Sequence, residues 1–252
     1  MAEMECWDLF KDSLMYNKPK WLEFIQSWND DKNEYIREVG FPYRKVTRDL
    51  EQTFRQLLFF SAQMHNATYM TIFAFRKMKY VEDAPNPQRK HIPDYTTAIV
   101  NKIYWECDAD HKRVNGVFGN LDDAYEDTMK MMDYYGDKIR VYYSGNRGFH
   151  LYLDIVPCVT KDELRSYSRF ISDGLGISEP LGSIDCGHFG DTSRIYRIPY
   201  VPHHKTGLFT VPINRNMSLK DILEFSKICH VPKPLVRHPK TLDIDIIKQV
   251  VK

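Results

Sequence analysis

An α+β fold with several hairpins, not a regular βαβ alternation, is what this 252-residue sequence predicts. Three observations carry that prediction. The apolar runs "AIVNKIYWECD" (98–108), "KIRVYYSG" (138–145) and "FHLYLDIV" (149–156) read as strands, the last two joined through the tight turn "SGNRG". Helical spacing of apolar residues recurs over 47–64, 120–135 and 160–176. No internal repeat or low-complexity tract interrupts these elements.

In chain order, residues 4–35 mix aromatics and charges, as expected of helices burying Trp7, Leu9, Phe10, Trp21 and Phe24. "TRDLEQTFRQLLFFSAQM" offers Thr47 as an N-cap, with Leu50, Phe54, Leu57 and Leu58 on one helix face. "YMTIFAF" (69–75) reads as a strand and the Pro-rich "EDAPNPQRKHIPDY" (82–95) as a loop. Asn120 caps a helix whose Leu121, Ala124, Met131 and Tyr135 face the core, ending at Gly136. Thr160 and Glu163 have capping-box spacing. "SRIYRIPY" and "GLFTVPI" read as strands, and "SLKDILEFSKI" and "DIDIIKQVV" as closing helices. One catalytic domain over 1–252 is expected: a mainly helical part (1–95), the motif-bearing part (96–215) and C-terminal helices (216–252).

A hydrophobic content of 43% and a charged content of 27% predict an ordinary soluble globular protein. No run approaches the roughly 20 apolar residues of a membrane span, and "MAEMECWDLF" is too acidic for a secretory signal, so a cytoplasmic, intracellular protein without membrane contact is expected. Cys6, Cys107, Cys158, Cys186 and Cys229 are scattered without C-x-x-C pairs, which favours neither a disulfide framework nor a structural zinc site. Net charge is only +1, but from Arg194 to Lys252 there are 11 Lys/Arg against 4 Asp/Glu, +7 in all, leaving −6 for residues 1–193. A basic C-terminal part opposite an acidic remainder suits polyphosphate held near metal; a solvated surface would look the same.

Three stretches could carry chemistry. In "IYWECDAD" (103–110), strand alternation puts Glu106, Asp108 and Asp110 on one face, opposite Trp105 and Cys107. Like charges along one strand face repel, so a divalent cation is the natural compensation, the alternative being a strand end entering a solvated acidic turn. In "YYSGNRGFHLYL" (142–153), Ser144, Arg147 and His150 surround a glycine-bearing turn, a hydroxyl, a guanidinium and an imidazole suited to phosphate oxygens. In "SIDCGHFGDTSRIYRIPYVPHHKTGLFTVPI" (183–213), Asp185 is followed by Arg194, Arg197, His203 and Lys205. Arg194 and Arg197, three positions apart, should point to opposite strand faces. Each basic side chain alone could equally be a solvated rim charge.

Taken in order, the acidic pair ending a strand, Ser-Gly-x-Arg-Gly-x-His, Ile-Asp, Arg-x-x-Arg-x-Pro and His-x-Lys-Thr-Gly together resemble the archaeo-eukaryotic primase superfamily, its catalytic small subunits and the related plasmid and viral primase-polymerases. The likeness spans about residues 103–213, with a weaker one at "YIREVGF" (35–41). It implies that superfamily's catalytic core: mixed sheets flanked by helices, with an active-site cleft between two α/β units. It further implies Glu106, Asp108 and Asp185 as catalytic metal ligands, Asp110 lying just outside the pair. Ser144, Arg147, His150, Arg194, Arg197, His203 and Lys205 become the nucleotide-binding set. Two departures stand out: Glu106 replaces the usual Asp, and Val201 stands where a small residue, often Ser, is expected. Residues 109–143 contain His111 and no cysteine, so no zinc knob is expected.

The expectation is therefore a nucleotidyltransferase: a DNA-dependent primase or primase-polymerase using two Mg²⁺ or Mn²⁺ ions. Its partners would be a single-stranded DNA template and nucleoside triphosphates, with a primase large subunit or a replicative helicase as protein partner. Two other classes stay open. A metal-dependent nuclease or replication initiator could use the same carboxylates, although adjacent His203 and His204 do not form a His-hydrophobe-His motif. A non-catalytic single-strand-binding module would have no need of three acids.

Overall fold

The computed structural model describes residues 2–28, 35–40, 44–85, 89–110, 118–178, 180–228 and 242–244. The chain runs α1 (Ala2–Trp28), β1 (Arg37–Gly40), β2 (Arg44–Thr47), α2 (Leu50–Met64), β3 (Tyr69–Thr71), β4 (Ala74–Phe75), β5 (Met78–Tyr80), β6 (His91–Pro93) and β7 (Ala98–Asp108). It continues through α3 (Leu121–Tyr135), β8 (Ile139–Tyr143), β9 (Gly148–Val159), α4 (Lys161–Gly174), β10 (Ile195–Arg197), β11 (Val211–Pro212), α5 (Leu219–Phe225) and β12 (Leu242–Asp243). Helices and mainly antiparallel sheets are both present, as the α+β reading requires. The chain divides into two compact units: Met1–Ile99, Thr192–Thr210 and Lys227–Arg237 form the first, and Val100–Asp191, Val211–Ser226 and His238–Lys252 the second.

In the first unit, β10, β3, β1 and β2 form an antiparallel sheet, and β5 pairs with β6. Trp7, Phe10 and Trp21 of α1 are buried in an edge-to-face series, 5.8 and 5.7 Å between successive ring centroids, while Leu9 of the same helix is exposed. The side chain of Phe24 lies outside the described residues. The helix kinks at Asn17 just before Pro19, which lacks the N–H that the preceding turn would need.

Three local expectations change here. The N-cap of α2 is Asp49, not Thr47: the Asp49 carboxylate accepts from Gln52 N–H at 2.9 Å, while the Thr47 hydroxyl turns to Thr53 at 2.8 Å. Residues 69–75 are two short strands, not one. Ile72 and Phe73 are both buried at a bend, so β3 pairs with β1 and β10 while β4 pairs with Ala98 and Ile99 of β7. The 82–95 loop is partly strand, because β6 closes a hairpin with β5 through Tyr80↔His91 and Met78↔Pro93.

In the second unit the strand order is β11–β8–β9–β7, all antiparallel. Alternation sorts this sheet into an apolar and a polar face. Ile103, Trp105, Cys107, Phe149, Leu151, Leu153, Ile139, Val141 and Tyr143 are all buried on the apolar side. α3 packs on β8 and β9, and Trp105 Nε1–H donates to Ser168 O of α4 at 3.2 Å. Burying side chains of this size is worth about 1.5–3 kcal/mol each. Both helices start on the caps expected: Asn120 with Asp123, and Thr160 with Glu163, form reciprocal capping boxes.

The opposite face carries Lys102, Tyr104, Glu106 and Asp108 from β7, Asp154, Tyr152 and His150 from β9, and Arg140 and Tyr142 from β8. At one end Asp154 accepts from Arg140 at 2.7 Å and lies 3.7 Å from Lys102. At the other stand Glu106 and Asp108. The C-terminal helices are only partly present: α5 is a helix, but Leu242–Asp243 pairs parallel to β9 at Ile155 and Val156, and residues 245–252 lie outside the described residues.

Gly148 is where β9 comes closest to β7. A Cβ there would lie 2.1 Å from Cys107 O, a backbone atom with no room to retreat. Gly148→Ala is expected to destabilise by about 3 kcal/mol or more, an overpacking penalty at the upper end, read as a lowered midpoint in denaturant unfolding.

Candidate active site

Glu106 and Asp108 point to the same side of β7, each half-buried, while Cys107 between them is fully buried. Asp185, some eighty residues further on, is brought alongside by backbone pairing. Cys107 and Ile184 form an antiparallel bridge flanked by Asp108 N–H→Ser183 O at 2.9 Å and Asp185 N–H→Glu106 O at 3.3 Å. On the other side of β7, Glu106 stands opposite His150 of β9. His150, Glu106 and Asp185 therefore lie across three adjacent strand segments, with Asp108 one pleat along. Opposite Asp108 is Gly148, so no side chain crowds it from β9.

The segment carrying Asp185 is anchored from α3. Asp127 is buried, accepts from Ser183 N–H at 2.8 Å and pairs with Lys130 at 2.7 Å. Sequence pattern missed this residue, because an acid in an amphipathic helix reads as solvent-facing. The Cys107 thiol beneath the row is pushed up to about 12 by burial; it is a packing group that stays protonated.

Each acid has protein partners. Glu106 accepts from the Tyr104 hydroxyl at 3.2 Å and lies 3.7 Å from His150 Nε2. His150 Nδ1 is buried with no hydrogen-bond partner. Asp185 caps a short 3₁₀ turn, accepting from Gly187 N–H at 2.7 Å, and its other oxygen is 2.8 Å from His188 Nε2. His188 thus turns to the acid three residues before it. Asp108 accepts from Asp110 N–H at 3.1 Å; its pKa is raised by desolvation, against the lowering effect of that hydrogen bond, with the Glu106 charge adding to the rise and Arg147 opposing it. Among the described residues, no three His, Cys, Asp or Glu side chains are gathered closely enough to form a ready-made metal site.

Asp110 does not continue the row. β7 ends at Asp108, and Asp110 forms an exposed ion pair with Arg147 in the following turn. That turn is tied to the strand end by Ala109 N–H→Arg147 O at 2.9 Å. Ser144 stabilises the same turn, its hydroxyl accepting from Gly148 N–H at 3.3 Å and Asn146 N–H at 3.4 Å. Gly145, at φ 79, supplies the left-handed conformation needed there. Ser144, Arg147, His150, Glu106, Asp108 and Asp185 all belong to the second unit.

Arg194, Arg197, His203 and Lys205 belong to the first. Arg197 is buried, donates to the Tyr69 hydroxyl at 3.2 Å and lies 5.5 Å from the centre of that ring. His203 is buried in a turn, its Nδ1 accepting from Lys205 N–H at 3.0 Å and its ring stacked 4.8 Å from His204, while the Lys205 side chain is exposed. Val201, at the position where a small residue was expected, is fully buried. His111 lies outside the described residues.

A folded-state pKa above the unfolded value means that Asp108 disfavours folding once ionised. The penalty is absent below the unfolded carboxyl pKa and develops as pH rises through the raised value. Asp108→Asn, which keeps an oxygen for Asp110 N–H, is expected to raise the thermal midpoint at pH 7. That gain should shrink toward zero as pH falls below about 3.9, as melting curves over a pH series would record.

No family model matches the sequence, and no curated protein matches it. Solved structures do match. The AEP domain of the cyanophage S-2L primase-polymerase superposes with a TM-score of 0.50 at 13% identity, over 90% of this chain and 94% of that one. The polymerase domain of Mycobacterium tuberculosis ligase D, solved in complex with DNA, gives a TM-score of 0.49 at 11% identity, over 99% of this chain and 88% of that one. At such identity the likeness concerns the fold, and it coincides with the superfamily suggested by motif order. The chain carries an archaeo-eukaryotic primase-type fold.

Proposed function

We propose that this chain is a DNA-dependent primase or primase-polymerase, a nucleotidyltransferase that makes or extends short primers on single-stranded DNA. The observation supporting this reading is the row formed by Glu106 and Asp185 on neighbouring strand segments, with Asp108 one pleat along. Such a row is costly to a fold that has no use for it, since like charges on adjacent strand positions destabilise by up to about 1 kcal/mol per pair.

The donor chemistry fits a divalent cation. Three carboxylates offer the hard oxygens that Mg²⁺ and Mn²⁺ prefer, and the Asp108 carboxyl, whose pKa is raised first by burial and then by the Glu106 charge, would be relieved by a bound cation. Glu106, Asp108 and Asp185 would hold the metal. Once bound, it would supply Lewis-acid activation of an attacking 3′-hydroxyl and neutralisation of the leaving pyrophosphate.

The other residues bind and orient. Arg147 would exchange Asp110 for a phosphate oxygen at small expense, because an exposed ion pair is worth only about 0–1 kcal/mol. Ser144 holds the turn in which Arg147 sits. His150 orients Glu106 across the strand pair and would offer an N–H to an incoming nucleotide. Arg194, Arg197, His203 and Lys205 would supply positive charge for the triphosphate, Arg197 from a geometry already fixed by Tyr69. These groups position charge; proton transfer is not their task.

Template-directed primer synthesis and extension with Mg²⁺ or Mn²⁺ test the reading. Asp108→Ala should lower nucleotide incorporation by at least about 10²-fold while the protein stays folded by circular dichroism. Full activity in that variant would remove Asp108 from the metal site, and no incorporation by the unmodified chain under any metal would end the assignment.

A further inference from the structure

The helical layer of the first unit carries a feature with no role so far. Between α1 and α2 lies an open cavity of about 200 Å³, floored by Trp21, Leu22 and Leu58, all buried. Its walls include Met15 and Phe59, 67% and 51% exposed, apolar side chains that the unit's own packing leaves in water. Phe60, equally exposed, stands 6.3 Å from Phe59 between ring centroids and extends the apolar surface along α2. Lys18 and Arg55 also line the cavity, and among the described residues no acid does.

Local bonding holds the floor of this socket in place. The socket straddles the kink in α1, since Met15 precedes Asn17 while Lys18 and Trp21 follow it. The Trp21 indole N–H donates back across the kink to Ser13 Oγ at 2.8 Å. Its ring packs edge-to-face on Phe10 and Tyr200, at 5.7 and 6.0 Å between centroids. A floor fixed in this way is ready before a ligand arrives, so little ordering is left to be done on binding.

Size and charge narrow the occupant. Pockets for drug-sized molecules occupy about 300–1,000 Å³; this one has room for one large apolar side chain, the kind of anchor that dominates protein interfaces. Met, aromatic residues and Arg around an apolar centre are also the composition of such interfaces, and exposed Met adapts to the shape it meets. Helices offer no unpaired backbone edge, so an added strand would gain nothing here, whereas an amphipathic helix docks through side chains alone. Lys18 and Arg55 favour acids flanking the anchor. We propose that the α1–α2 groove docks an amphipathic helical segment of a partner protein, which inserts one bulky apolar residue and sets Asp or Glu against Lys18 and Arg55. Lipid is a poorer match. A bilayer takes up a protruding apolar face rather than filling a concave one, and exposed Asp8 and Asp12 on the same helix interrupt any basic face for anionic headgroups. The inference stands apart from the polymerase reading and uses none of its residues.

The test is selection from a displayed library of random dodecapeptides on the immobilised full chain, then fluorescence anisotropy of the enriched peptides. Enriched sequences should place Leu, Phe or Trp beside Asp or Glu, and exchanging those acids for Lys should weaken binding by at least about tenfold. Phe59→Ala and Met15→Ala should each weaken it by about fivefold or more. Lys18→Glu should weaken it as well and reduce its salt dependence, while Lys79→Glu, on β5 of the same unit, should bind as the parent does. All four side chains are exposed, so thermal midpoints should stay level. No enrichment over a blank surface, enrichment without acids, or parental affinity in the Phe59 and Lys18 variants would overturn the proposal. So would uptake of laurate, adhesion to phosphatidylserine vesicles or dimerisation of the chain, if the same variants abolished it, since a small amphiphile, lipid or a second copy would then be the occupant.

Discussion

Two backbone hydrogen bonds, Asp108 N–H to Ser183 O and Asp185 N–H to Glu106 O, govern the chemistry available to this chain. They set the register between the end of β7 and the 183–185 segment. Because side chains alternate along extended chain, that register decides whether Asp185 faces the acids of β7 or the core. A slip of one residue would bury the Asp185 carboxylate and turn Ile184 outward. Burial of Ile184 and Cys107 on one side, and the grip of Asp127 on Ser183 N–H, hold the register. An unsatisfied buried donor costs about 1–3 kcal/mol, so Asp127 couples α3 to the geometry of the acidic row without touching it.

The two faces of the second unit's sheet do opposing work. One gathers large apolar side chains beneath α3 and α4 and supplies stability. The other runs from the ion-paired set Lys102, Asp154 and Arg140 to Glu106 and to Asp108, whose carboxyl pKa is raised first by burial. Polar groups at the first end pair with one another; at the second, carboxylates from two strand segments stand side by side. Such a juxtaposition within a well-packed frame is where ligand chemistry is expected, since functional sites tolerate what the rest of the fold corrects.

Much of this was legible in the residues. The strand over 98–108 keeps its predicted bounds, with Ile103, Trp105 and Cys107 alternating onto the buried face beyond an irregularity at Val100–Lys102, and α3 and α4 start at Asn120 and Thr160 because those caps satisfy donors locally. The shared face of Glu106 and Asp108 follows from the same alternation; Asp110 leaves it because the strand stops first. Asp185 could be linked to them only through the order of motifs, since nothing local in "SIDCGH" says which strand it will meet. Asp127 went unread because an acid on an amphipathic helix reads as solvent-facing, although here it is buried against Ser183 N–H. The bend at Ile72–Phe73 and the β5–β6 hairpin show long-range pairing overriding local pattern, since a polar, Pro-rich stretch gave no strand signal, yet β6 pairs; the α2 cap moves to Asp49 through local bonds alone, its carboxylate meeting Gln52 N–H while Thr47 turns to Thr53.

The proposed function needs Glu106, Asp108 and Asp185, from distant parts of the chain, to serve as one cation site. Calorimetric titration of Mn²⁺ into the protein with a non-hydrolysable nucleoside triphosphate is the decisive measurement. Saturable binding is expected, weakened by Asp185→Asn at least as much as by loss of a supporting group in known metal sites, about tenfold or more, with the fold intact. Binding unchanged by Asp185→Asn, or lost only through changes outside Glu106, Asp108 and Asp185, would contradict it.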